Sequence, residues 1–222
     1  MAPNKEEYDQ DDAWVEILEQ VEDYSYKNLF RVMRARLRYR RFDESMSEEI
    51  TRVNFERGDS VGVLLYDPGK DVVVLVRQFR YPVYAGLEPE TVKKGGSERA
   101  WILEVVAGII DPGQSAVEIA LNELLEESGC MVRGDLRPIA TIYPSPGGSS
   151  ERIHLFLGLV DQEDRMNEGG GLPSLGEDIQ VERFPFQEAM KMIERGEISD
   201  AKTIVALQHL ALLKAKGIGF QG

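Results

Sequence analysis

Residues 107–130 read AGIIDPGQSAVEIALNELLEESGC, and this stretch decides how the rest of the chain is understood. A short apolar segment gives way to the turn signal Asp111-Pro112-Gly113, and then to a helix predicted over residues 115–128 and closed by Gly129. On that helix Glu123, Glu126 and Glu127 are spaced so that all three carboxylates fall on one face within a turn. Carboxylates crowded in this way repel one another. A divalent cation relieves the repulsion, and oxygen-only ligands favour magnesium or manganese. The competing reading is a solvated acidic face, which the glycine turn at a fixed distance before the helix argues against.

Working outward, residues 102–106, 139–143 and 153–160 read as strands. The apolar runs 61–66 and 72–79 flank Asp67-Pro68-Gly69-Lys70 and predict a hairpin of two buried strands. Residues 86–99 are polar and are expected to form an exposed loop. The turn-rich segment 167–174, NEGGGLPS, is expected to be a loop able to move, leading into an alternating strand over 179–184. Two helices should close the chain, one near 187–195 and one that Asp200 caps, running to Gly217. At the other end, Trp14, Ile17, Leu18 and Val21 recur at helical spacing and predict an acidic amphipathic helix over residues 4–22. Residues 30–42 alternate Arg34, Arg36, Arg38 and Arg40 with Met33, Ala35, Leu37 and Tyr39, the period of a strand with one solvated face. Mixed in this order, the elements point to an α/β or α+β sandwich rather than a doubly wound sheet.

Composition narrows the chemistry. The 222 residues, 42% of them hydrophobic, suffice for a real core. A net charge of -13 argues against nucleic acid as a partner, despite the arginine strand, because such binding depends on Lys and Arg displacing counterions. Cys130, His154 and His209 are too few for a zinc site, so the expected metal is a hard cation held by oxygen. No apolar stretch approaches the roughly 20 residues that cross a bilayer, and the N-terminus lacks a signal-peptide pattern. A cytoplasmic protein with no membrane partner is the expectation. Ser149 and Ser150 have no histidine or lysine in a triad pattern, which removes them as covalent nucleophiles.

The 107–130 stretch resembles the Nudix box, G-x5-E-x7-R-E-U-x-E-E-x-G-U, where U is a bulky apolar residue. Gly108, Glu123, Leu124, Glu126, Glu127, Gly129 and Cys130 fall at its spacings, while Gln114 and Asn122 stand where the box has Glu and Arg. A neutral hydrogen bond from Gln114 to Asn122 is the expected replacement for that pair. Loss of the cation at position 122 is expected to raise the pKa values of the neighbouring carboxylates. The resemblance extends over about residues 52–213. VRQFR at 76–80, SPGGSSE at 145–151 and GGG at 169–171 with Glu177-Asp178-Ile179 are similar to the ADP-ribose pyrophosphatase branch. FPF at 184–186 and GEISDAKT at 196–203 are similar to its GDP-mannose hydrolase group, and Tyr84-Ala85-Gly86 to its UDP-sugar hydrolases.

The resemblance implies a Nudix α/β/α sandwich with an N-terminal β-strand region and an extra N-terminal helix. Residues 1–50 would serve dimerisation and residues 51–222 would form the hydrolase domain, in a homodimer whose swapped N-terminal strands complete the partner's site. The implied reaction is magnesium-dependent hydrolysis, with manganese an alternative, of a nucleoside diphosphate sugar of the ADP-ribose or GDP-mannose type to a nucleoside monophosphate and a sugar phosphate. Glu123 and Glu127 would be the main metal ligands, joined by Glu126 and the Ala107 carbonyl. Arg57 and Arg80 would bind the diphosphate, Glu151 a sugar hydroxyl, and Glu177 would be the general base. The alternative, motivated by Gln114 and Asn122, is a catalytically silent nucleotide-sugar sensor; the retained glutamates argue for the enzyme.

Overall fold

Strand β4 (Ser60–Asp67) shows how the sequence layers the larger part of the molecule. In the computed structural model, which describes residues 14–27, 29–161, 164 and 166–220, its side chains alternate between two buried faces. Val61, Val63 and Leu65 join one apolar cluster, whereas Leu64 and Tyr66 join another. Strand β5 (Val72–Phe79) divides in the same way, Val74 and Val76 to the first cluster and Val73 and Leu75 to the second. The predicted hairpin is present, with Leu65 opposite Val74.

Around this hairpin a seven-stranded mixed sheet forms in the order β10-β5-β4-β9-β8, with β6 added to β5 and β7 added to β4. The new strands are β6 (Trp101–Glu104), β7 (Val106–Ile109), β8 (Arg133–Ile142), β9 (Ile153–Leu159) and β10 (Gln180–Pro185). The β4–β9 pair is parallel; the other pairs are antiparallel. Helix α3 (Ala116–Glu123) covers one face through Ile119 and Ala120, continued by Leu124 just beyond it. Helices α4 (Phe186–Glu194) and α5 (Ala201–Ala215) cover the other through Phe186, Met192, Leu207 and Leu210. The result is the expected α/β/α sandwich. Leu64, Leu65, Leu75, Leu103, Leu155 and Leu157 are fully buried, each worth about 1.5–3 kcal/mol of transfer energy.

Compactness divides the chain into two units: Met1–Gly58 with Ser145–Glu151, and Asp59–Pro144 with Arg152–Gly222. In the first, β1 (Val15–Tyr26), β2 (Phe30–Tyr39) and β3 (Ile50–Glu56) form an antiparallel meander. Strand β1 corrects the helix expected over residues 4–22: residues 15–22 are extended, and residues 4–13 lie outside the described residues. The polar stretch 86–99 is likewise not a plain loop. It follows a short helix α1 (Tyr81–Ala85), contains α2 (Pro89–Lys93) and enters a 3₁₀ turn over Gly96–Ala100. Pro82 and Pro89 lie in the first turns of α1 and α2, where a missing N–H costs nothing. Among the described residues no helix is long and apolar enough to cross a membrane.

Candidate active site

Helix α3 begins on a capping box, with the Ser115 side chain accepting from the Glu118 N–H and the Glu118 side chain from the Ser115 N–H. It does not run as a regular helix to Ser128. From Leu124 to Ser128 the backbone widens into a π-helical turn, in which Ser128 Oγ donates to the Leu124 carbonyl at 2.6 Å. The acidic residues straddle this change of pitch: Glu123 ends the α-helix, and Glu126 and Glu127 lie on the wider turn. Glu127 is buried at 4% exposure, Glu123 is half-buried and Glu126 is exposed.

Two backbone features of β7 bring these carboxylates to the sheet. The Ala107 N–H donates to Glu127 Oε2 at 3.2 Å. At Gly108 any side chain would occupy the place of the Glu123 carboxyl, since a Cβ there would lie 2.1 Å from Glu123 Oε1. The required glycine is therefore a cradle for an acid. Burial is the main reason that both acids hold protons unusually well. Glu123 is pushed up to about 7 by burial, then by the charges of Glu126, Glu177 and Asp111. Glu127 is pushed up to about 8 by burial and by Glu123 and Glu104, against the opposing effects of the Ala107 N–H and Arg80. Burial, rather than the missing arginine at position 122, is the first cause of both rises. Gln114 and Asn122 are both exposed, and no side-chain hydrogen bond joins them, so the expected neutral substitute for the ion pair does not form.

A second network supports the same surface. Glu104, 3% exposed at the end of β6, accepts from Arg80 Nε at 2.7 Å and from Lys202 Nζ at 2.6 Å. Lys202 also bonds Asp200, whose other carboxylate oxygen accepts from the Thr203 N–H and caps α5. The Thr203 hydroxyl in turn accepts from the Val105 N–H. Sequence reading found Arg80 and the Asp200 cap but missed Glu104 and Lys202, which meet across 98 residues of chain. The nearest signal was an acidic residue inside an otherwise apolar strand, three positions before Ala107.

Glu177 reaches the neighbourhood from the glycine-rich loop. The Gly170 and Gly171 N–H groups donate to the Glu127 and Glu126 carbonyls at 2.9 and 3.1 Å, pinning the loop to the π turn. Glu177 Oε2 accepts from the Leu172 N–H at 2.8 Å. Gly171 has a φ of +77°, and a Cβ there would sit 2.7 Å from that same Oε2. In the N-terminal unit Arg57 stands 3.8 Å from Glu151, with its guanidinium 5.9 Å from the Phe30 ring centroid. The two residues expected to hold diphosphate and sugar therefore face each other.

The donor set suits a divalent cation. It offers one buried and one half-buried carboxylate, Glu127 and Glu123, with Glu123 adding to the proton affinity of Glu127, at the edge of β7. Among the described residues no three His, Cys, Asp or Glu side chains gather closely enough to hold an ion by themselves, so Glu123, Glu126 and Glu127 do not form a closed carboxylate cage without further donors.

A model of the NUDIX domain matches residues 56–207. The ADP-ribose pyrophosphatase of Escherichia coli (strain K12) is 36% identical over 187 residues, covering 84% of each chain. The GDP-mannose pyrophosphatase of Pectobacterium atrosepticum is 41% identical over 155 residues, 70% of this chain and 74% of that one. Among solved structures, an ADP compounds hydrolase superposes with a TM-score of 0.65 over 92% of this chain and 96% of the other, at 22% identity, which speaks for the fold alone.

Proposed function

This chain belongs to the NUDIX domain family, and on that premise we propose that it hydrolyses the diphosphate of a nucleoside diphosphate sugar, of the ADP-ribose or GDP-mannose type. The observation that carries the reading is the placing of Glu123 against Gly108 and of Glu127 on the Ala107 N–H, two carboxylates drawn out of water at the end of β7. Glu123 and Glu127, with Glu126 and the Ala107 carbonyl, would hold magnesium or manganese, which would supply neutralisation of the diphosphate oxygens and a more acidic attacking water.

The remaining steps belong to the chain's own side chains. Arg80, oriented by Glu104, binds the diphosphate, and Arg57 and Glu151 take the diphosphate and a sugar hydroxyl. Glu177, fixed by the Leu172 N–H, takes the proton of the water whose oxygen joins phosphorus as the bridging P–O bond breaks. Products are a nucleoside monophosphate and a sugar phosphate. We propose further that residues 1–50 dimerise the protein, with swapped N-terminal strands contributing to the partner's site, and that it works in the cytoplasm. Deleting residues 1–50 should then lower both association and activity; a fully active monomer in sedimentation would refute that part.

A silent nucleotide-sugar sensor is the second reading, favoured by Gln114 and Asn122. One experiment separates the two: turnover of ADP-ribose, GDP-mannose and related nucleotide sugars with magnesium, scored by phosphate release after phosphatase coupling. Hydrolysis of at least one is expected. Tight binding without turnover of any would favour the sensor.

A further inference from the structure

Among the described residues two buried side-chain atoms of the larger unit lack a hydrogen-bond partner, Asp67 Oδ2, whose other oxygen accepts from the Gly69 and Lys70 N–H groups, and Gln78 Nε2. Gln78 is 8% exposed, and its Nε2 meets no hydrogen-bond acceptor. A buried donor left in this state costs about 1–3 kcal/mol, so folding alone gives no reason to keep it. Gln78 lines a cavity of about 430 Å³ together with Phe79, Arg80, Trp101, Glu177 and Asp178. Trp101 is 42% exposed and packs on Phe79, with ring centroids 4.9 Å apart.

The walls state what would fit. Arg80, the residue assigned to the diphosphate, stands at one side, while Glu177 and Asp178 oppose a second phosphate and accept hydrogen bonds from hydroxyls. An amide donor, two carboxylate acceptors and an aromatic face together suit a neutral polyol with a C–H face. We propose that this cavity receives the sugar ring of the substrate, and that Gln78 selects it by donating its free N–H to a ring oxygen while Trp101 packs against the ring. The proposal rests on the reading of the substrate as a nucleotide sugar.

The test is calorimetric binding of ADP-ribose, GDP-mannose, AMP and GMP with divalent cations chelated, so that nothing turns over. Gln78→Met, similar in shape but lacking the donor, should weaken a nucleotide sugar about 3- to 10-fold and leave the matching monophosphate unchanged. Trp101→Ala should shift binding in the same direction. Gln78→Met should also melt no lower than the wild type, because it removes an unpaired polar group. Equal weakening of the monophosphate would overturn the proposal by placing the nucleoside half in the cavity, and unchanged binding of all four would overturn it outright. Wild-type protein that binds the sugars but does not hydrolyse them with magnesium would sink the hydrolase reading and leave this subsite standing. Turnover by wild type, with Gln78→Met binding normally, would do the reverse. A wild type that binds none of the four overturns both.

Discussion

In the N-terminal meander Arg34, Arg36 and Arg38 each meet an acid of the neighbouring strand: Asp23 at 2.8 Å, Glu19 at 2.8 Å and Glu16 at 3.6 Å. Arg36 also reaches Glu49, and Arg31 pairs with Glu56. At the end of α3 the opposite holds. Glu127 is drawn out of water and Glu123 partly so, and Arg80, the cation that acts on Glu127, is already bonded to Glu104. Charge in the first region is neutralised within the chain and remains in contact with solvent, where each pair contributes little. In the second, two carboxylates are drawn wholly or partly from water, so each holds its proton unusually well unless something from outside takes its place. An arginine-rich strand that looks like a binding surface is therefore self-satisfied, and an acidic helix that looks like a solvated face is not.

The strongest way to break this contrast is to remove one unbalanced carboxylate. Glu127→Gln should lower turnover on the order of a hundredfold or more while leaving the fold intact, since the glutamate is already largely protonated near neutrality. Near-wild-type rates at saturating magnesium would undo the assignment. Next in size is Gly171→Ala, which puts a methyl group 2.7 Å from Glu177 Oε2 and strains a positive φ. A fall in kcat of about tenfold is expected, with magnesium affinity unchanged, if Glu177 acts on the water rather than on the cation. Equal losses in both would make Glu177 a metal ligand.

A pH series sharpens the comparison without mutation. Folding raises Glu123 to about 7 and Glu127 to about 8 from a usual value of 4.5, so the folded, cation-free protein holds protons that the unfolded chain releases. Stability from this source is greatest below the unfolded value and falls as pH rises through the folded values. Chelated protein should melt progressively lower between about pH 5 and pH 8, and magnesium should raise the melting temperature most at the alkaline end. Melting that is flat with pH, or most sensitive to magnesium in acid, would contradict the burial argument. The smallest effect is expected in the other region: Arg34→Gln or Arg36→Gln should leave melting nearly unchanged at physiological salt, with any difference appearing only at low ionic strength. A large loss there would mean that the ladder does more than neutralise itself.

The same contrast explains what the sequence made legible. Core strands announced themselves by apolar runs, and α5 by Asp200, because those signals are local. Strand β1 was misread as a helix for a specific reason. Its pairing with β2 slips between Ile17 and Glu19 and again between Glu22 and Tyr24. The first slip inserts Leu18 between Ile17 and Glu19, which breaks the two-residue alternation of the strand and leaves Trp14, Ile17, Leu18 and Val21 at the three-one-three spacing of a helix. The carboxylate cluster was readable from the 107–130 motif, whereas the π turn that separates Glu123 from Glu127 and the Glu104–Lys202 bond were not, the first being a matter of backbone pitch and the second of contact between remote segments.

The parallel pairing of β4 with β9 has a further consequence, for the order in which the molecule can be made. Asp59 and Arg152, which bond at the head of that pair, are 93 residues apart, and β7, α3 and β8 all lie between them. During synthesis at about 5–20 residues per second, several seconds pass in which β4 has emerged and its parallel partner has not. Through that interval the centre of the sheet presents an open edge to the ribosome exit and to chaperones, so nascent chains arrested before residue 153 should be protease-sensitive in the very segment that carries α3, and resistance should appear only once β9 is available.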